Sequence, residues 1–135
     1  MVPPEGPAEW TFPADPGAVR TARAVVRETL RGWRLDPVSD VTVLLVSELV
    51  TNSLRYAAGP IVVRLTRLPG PDGRRPGALR VEVSDPLPDP PCIRAAGPQD
   101  EGGRGLQLVA VAARSWGTKP GRAGKTVWFE LPLAG

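Results

Sequence analysis

The residues best suited to chemistry are polar ones set among apolar neighbours. In Val41–Ala57, VTVLLVSELVTNSLRYA, Glu48 and Asn52 stand four apart, so on a helix they emerge one above the other on a single face. Ser47, Thr51 and Arg55 complete a stripe spanning about 140° at 100° per residue. A carboxylate and an amide on so apolar a helix are costly to desolvate, although a solvent-facing strip on an amphipathic helix would read the same way. A carboxylate one turn (~5.4 Å) from an amide can orient a hydroxyl or a water. The amide oxygen, for its part, suits a hard cation such as magnesium, which keeps several of its waters. Asp85 closes the run LRVEVSD in phase with Leu79, Val81 and Val83. A lone carboxylate on the inner face of a strand reads as a buried hydrogen-bond acceptor. Finally, Gly102-Gly103-Arg104-Gly105 leads into a helical pattern. Backbone N–H groups and the positive dipole end at such a helix start suit phosphate, though glycines before a helix are also plain turns.

The chain supplies an ordered set of elements to carry these groups. Residues 1–8, rich in Pro and Gly, read as a loose tail, and Glu9–Pro13 as a short edge strand with Trp10 and Phe12 on one face. Asp15-Pro16 then starts a helix running to about Trp33, with Val19, Ala22, Val26, Leu30 and Trp33 as its core stripe. Arg20, Arg23, Arg27, Arg31 and Arg34 form a second stripe, either a solvated face or a dock for an acidic partner. Ser39 or Asp36 caps the central helix, which stops at Ala58-Gly59-Pro60. Ile61–Leu68 and Leu79–Asp85 read as a hairpin across the turn-rich PGPDGRRPG. Pro86–Glu101, with five prolines, is a long loop of the kind that forms lids. The next helix carries Leu106, Val109, Ala110 and Ala113 on its apolar face, and strands near Ser115–Lys119 and Thr126–Leu131 close the chain.

Composition narrows the function. At 135 residues, 41% apolar and 23% charged, the chain is one soluble globular domain over residues 9–133. It contains no histidine, which excludes Ser-His-Asp and Cys-His catalysis, and its single cysteine, Cys92, leaves no plausible zinc site. No apolar run approaches the roughly 18 residues of a membrane span, and neither a signal peptide nor an internal disulfide is expected, so the chain reads as cytoplasmic. The net charge of +3 is spread over both halves without interleaved aromatics, which argues against direct nucleic-acid binding. Gly124-Lys125-Thr126 imitates the end of a P-loop, but Lys119 stands where the leading glycine belongs and a strand pattern follows.

The order of helix, helix with E-x-x-x-N, hairpin ending in Asp, lid, glycine-rich helix start and closing strands resembles the GHKL (histidine-kinase-like) ATPase superfamily. Within it, the chain is most similar to stand-alone anti-sigma-factor serine/threonine kinases and their actinobacterial relatives. The motifs are Glu48-Leu-Val-Thr-Asn52-Ser, Val83-Ser-Asp85, Gly102-Gly-Arg-Gly105-Leu106 and Gly124-Lys-Thr126-Val, over about residues 9–133. The resemblance implies a Bergerat-type two-layer α/β (α+β) sandwich, with a mixed, mostly antiparallel sheet packed on three helices. It implies ATP and Mg2+ as cofactors: Asn52 holding the magnesium, Asp85 accepting from the adenine amino group, and Gly103 and Gly105 admitting the phosphates with Arg104 nearby. Thr126 would line the adenine pocket, Arg55 and Leu106 would also belong to the ATP site, and Glu48 would be the general base. The implied partners are a sigma factor and a serine of an anti-anti-sigma factor, with a homodimer as a further expectation. One departure stands out: Leu87 and Asp89 occupy the positions of the D-x-G-x-G glycines, and Pro86 and Pro88 stiffen that backbone. It keeps open a second reading, a catalytically weak module of the same fold that sequesters a partner.

Overall fold

The computed structural model describes residues 6–56, 59–86, 101–121 and 124–133, with the side chains at 56, 101–106 and 121 outside that description. The elements run β1 (Ala8–Phe12), α1 (Gly17–Gly32), a 3-10 turn (Asp36–Val38), α2 (Ser39–Tyr56), β2 (Ile61–Pro69), β3 (Pro76–Asp85), α3 (Glu101–Ala112), β4 (Ser115–Gly121) and β5 (Gly124–Pro132). The strands form a five-stranded sheet in the order β1-β2-β3-β5-β4, every adjacent pair antiparallel. The lid expected over Pro86–Glu101 lies, for residues 87–100, outside the described residues, as does Cys92.

Strict alternation gives the sheet one apolar face. Ile61, Val63 and Leu65 on β2, Leu79, Val81 and Val83 on β3, and Val127, Phe129 and Leu131 on β5 are all buried, as period-two patterning requires. The helices cover that face. On α1 the buried residues are Ala18, Ala22, Val26 and Leu30, with Val19 and Trp33 half-buried. The stripe is thus turned slightly from the expected one, toward the small Ala18. Val43, Val46, Leu49 and Val50 of α2 belong to the same buried core. On α3 Val109 is buried and Ala113, just past its end, packs against the core as expected, but Ala110 is exposed and Leu108 packs in its place.

The helix ends follow local chemistry. Asp15 Oδ1 accepts from the Gly17 N–H at 2.9 Å, so the aspartate caps α1 with Pro16 between them. At the other end Arg34 takes a left-handed φ of 61°. The Leu35 N–H then reaches the Leu30 carbonyl at 2.8 Å and the Arg34 N–H the Arg31 carbonyl at 3.0 Å, a Schellman motif closed by a residue other than glycine. In the β2–β3 turn Asp72 accepts from the backbone of Arg74 and Arg75, which holds its carboxyl below the usual range. The arginine stripe is exposed throughout, and Arg27 pairs with Asp40 at 3.0 Å. No described helix is long and apolar enough to cross a membrane.

Candidate functional site

The site is built where the last turns of α2 meet the end of β3. Val46, Leu49, Val50 and Ser53 form the buried side of α2, and the Ser53 hydroxyl donates to Asp85 Oδ2 at 2.5 Å. That bond ties helix to strand. Asn52, the preceding residue, has its Oδ1 buried and without a hydrogen-bond partner among the described residues. Glu48 stands one turn back, half-buried. Of the remaining polar stripe, Ser47 donates to the Val43 carbonyl at 2.7 Å and so serves its own helix, while Arg55 is exposed.

Asp85 is buried, as its phase in β3 predicts, but its principal partner is one the sequence did not suggest. Asp85 stands opposite Lys125 in the β3–β5 register. Lys125 Nζ lies 2.7 Å from Oδ1 and 2.6 Å from Oδ2, with the two side chains 6% and 2% exposed for lysine and aspartate. The strands approach closely here because Gly124 has no side chain: a Cβ on it would stand 1.9 Å from the Asp85 carbonyl oxygen. Thr126, one residue on, points to the opposite face and shares a 2.7 Å hydrogen bond with Ser84. The Asp85 carboxylate is thus paired with Lys125, while Thr126 pairs with Ser84 and lines the same cleft as Asp85. This cleft, of about 270 Å³, opens at this end of the sheet, between Pro60, Val62, Ser84 and Thr126 and the ion pair. Among the described residues, none of α2 lines it.

Gly103, Arg104, Gly105 and Leu106 fall in the first two turns of α3, which starts at Glu101 and so contains the glycines instead of following them. The opening N–H groups of a helix lack intrahelical acceptors, and here that turn includes Gly102, Gly103 and Arg104. The side chains of Arg104 and Leu106 lie outside the described residues. Ser53 and Lys125 are the two site residues that sequence reading missed. Each carried a signal: Ser53 is in phase with Leu49 and Val50, and Lys125 shares the parity of Val127, Phe129 and Leu131.

Among the described residues no three His, Cys, Asp or Glu side chains gather into a metal cage. Asn52 Oδ1 is instead a single buried acceptor, of a kind that would suit a cation already carrying most of its own oxygens. Without that cation the orphan atom costs stability, on the order of 1 kcal/mol or more. Asn52→Leu, nearly isosteric, is therefore expected to raise the melting temperature of the ligand-free protein by roughly 3–5 °C. A fall of that size in a thermal scan would mean that the amide has a partner of its own.

Three helices on one face of an antiparallel sheet in this order make a two-layer α/β sandwich with its polar constellation between the layers. The chain belongs to the histidine kinase-like ATPase domain family, whose model matches residues 12–131. Its structure is similar to that of the RsbU and RsbW domains of Rv1364c from Mycobacterium tuberculosis, with 25% identity and a TM-score of 0.68 over 95% of this chain and 32% of that one. A histidine kinase domain from the Erythrobacter litoralis EL346 blue-light activated histidine kinase is 30% identical over 68% of this chain and 43% of the other, with a TM-score of 0.45. This chain thus spans less than half the length of either. No similar curated protein was found.

Proposed function

We propose that the protein is a Mg-ATP-binding regulator that acts as an anti-sigma-factor serine/threonine kinase and phosphorylates an anti-anti-sigma protein. The observation that carries this reading is the buried Oδ1 of Asn52, without a hydrogen-bond partner among the described residues, one turn from Glu48 on a helix whose next residue holds Asp85. Family membership and the likeness to a chain with an RsbW domain support it. Asn52 would hold magnesium through Oδ1, and the N–H groups at the start of α3 would face phosphate oxygens. The cation, when bound, neutralises phosphate charge and fixes the phosphates in line. Glu48 would orient the attacking seryl hydroxyl and accept its proton. The chain has no histidine to serve as a phosphoacceptor, and in this reading the acceptor is a serine of the anti-anti-sigma protein. A sigma factor as second partner, and self-association as a dimer, belong to the same reading.

A second reading, a catalytically weak module that sequesters its partner, is favoured by one observation: Lys125 engages both oxygens of Asp85. Calorimetry with millimolar ATP, with and without magnesium, tests nucleotide binding; heat only in the presence of magnesium is expected. Labelled ATP incubated with candidate anti-anti-sigma proteins then separates the two readings. Label on a serine of the partner supports the kinase, and stable complex formation without label supports the sequestering module.

A further inference from the structure

We propose that Lys125 occupies the place on Asp85 that a nucleobase amino group would take, so that the site accepts ATP only by exchange with its own ammonium. The proposal rests on the ATP-binding reading above. It starts from where the lysine lies. Lys125 follows the alternation of Val127, Phe129 and Leu131, all buried on the helix-covered face, where stability alone would favour an apolar side chain. A buried ion pair is no substitute for one, because well-packed apolar residues of similar volume serve stability as well or better. What the lysine does instead is engage the carboxylate. Its Nζ bridges both oxygens at 2.7 and 2.6 Å, and the Ser53 hydroxyl adds a bond to Oδ2.

The exchange has a predictable balance. An amino N–H of a purine is a neutral donor, and a neutral donor to carboxylate is weaker than an ammonium. The nucleobase therefore replaces a stronger bond with a weaker one. The ammonium regains water when released, since a compact and strongly hydrated charge on a flexible stem can withdraw without moving the backbone. The two changes largely cancel, which leaves the phosphates and ribose to supply the affinity. The wild-type protein should thus be nearly indifferent to the 6-amino group, whereas a protein without the lysine should recognise it.

The test uses the full chain, magnesium, ATP, and purine riboside triphosphate, which lacks only the 6-amino group. Dissociation constants are compared for the wild type, Lys125→Thr and Lys125→Gln. Glutamine keeps a neutral donor for Asp85 and so guards against a variant that fails to fold. In the wild type the two nucleotides should bind within about twofold of each other. In Lys125→Thr, ATP should tighten by about tenfold and the preference for ATP should rise to about tenfold, the worth of one hydrogen bond to a charged group. Lys125→Gln should shift both quantities the same way by a few-fold. A wild-type preference already near tenfold and unchanged in the variants would overturn the proposal while leaving ATP binding intact. Weaker ATP binding in both variants would also overturn it, by making the lysine a nucleotide contact. Absence of binding to all three proteins would remove the proposal and the ATP reading together.

Discussion

Glu48→Ala is expected to slow phosphoryl transfer to the protein substrate by 10²–10⁴-fold, roughly the contribution of a positioned general base, while ATP affinity stays within about twofold. The separation follows from geometry. Glu48 and Asn52 share one face of α2 a turn apart, so cation and acid occupy neighbouring but distinct positions along the helix. The backbone should not change, because alanine is the best helix former and Glu48 is only half-buried, away from the side of α2 that carries Leu49, Val50 and Ser53. Single-turnover transfer of labelled phosphate reads the chemical step, and calorimetry reads binding. Loss of both together would make Glu48 a ligand for nucleotide or metal, and loss of neither would remove it from the chemistry. A sequestering module gives a third pattern: complex formation with the partner survives in wild type and variant alike, with no transfer in either.

The groups that could be read from the chain alone are those fixed by local periodicity. The phase of Leu79, Val81, Val83 and Asp85 places the carboxylate inward before any tertiary contact is known, and Asp85 is buried. The spacing of Glu48 and Asn52 likewise depends only on helical pitch. Residues whose role depends on partners distant in sequence were harder to see. Lys125 meets Asp85 across 40 residues, and only the β3–β5 register makes them opposite. The final strand reads from Thr126 onward in the sequence, so Lys125 stands outside the expected alternation although it shares the parity of Val127, Phe129 and Leu131. At α1 the difference was smaller. Ala18 packs where Val19 was expected, because an alanine adds little to a hydrophobic pattern yet fits a close helix–sheet contact. The turn at Arg34 gave no warning at all, since its left-handed φ usually belongs to glycine or asparagine.

Asp85→Ala is expected to destabilise the ligand-free protein by about 3 kcal/mol, the low end of the usual cost of removing one partner from a buried ion pair. The freed Lys125 ammonium, 6% exposed in the pair, can withdraw to water, while the Ser53 hydroxyl loses its acceptor. Against a domain stability of about 5–15 kcal/mol, a loss of that size brings the midpoint of guanidinium unfolding sharply down. The double replacement Asp85→Leu with Lys125→Met should recover most of it and fall within about 1–2 kcal/mol of wild type, because neither charge then remains to be desolvated. The two sites touch, so the energies are not additive, and a favourable coupling of several kcal/mol should emerge from the cycle. A single-variant cost of about 5 kcal/mol or more would show that the Lys125 ammonium stays buried after losing Asp85, and would count against its release to water when another donor arrives.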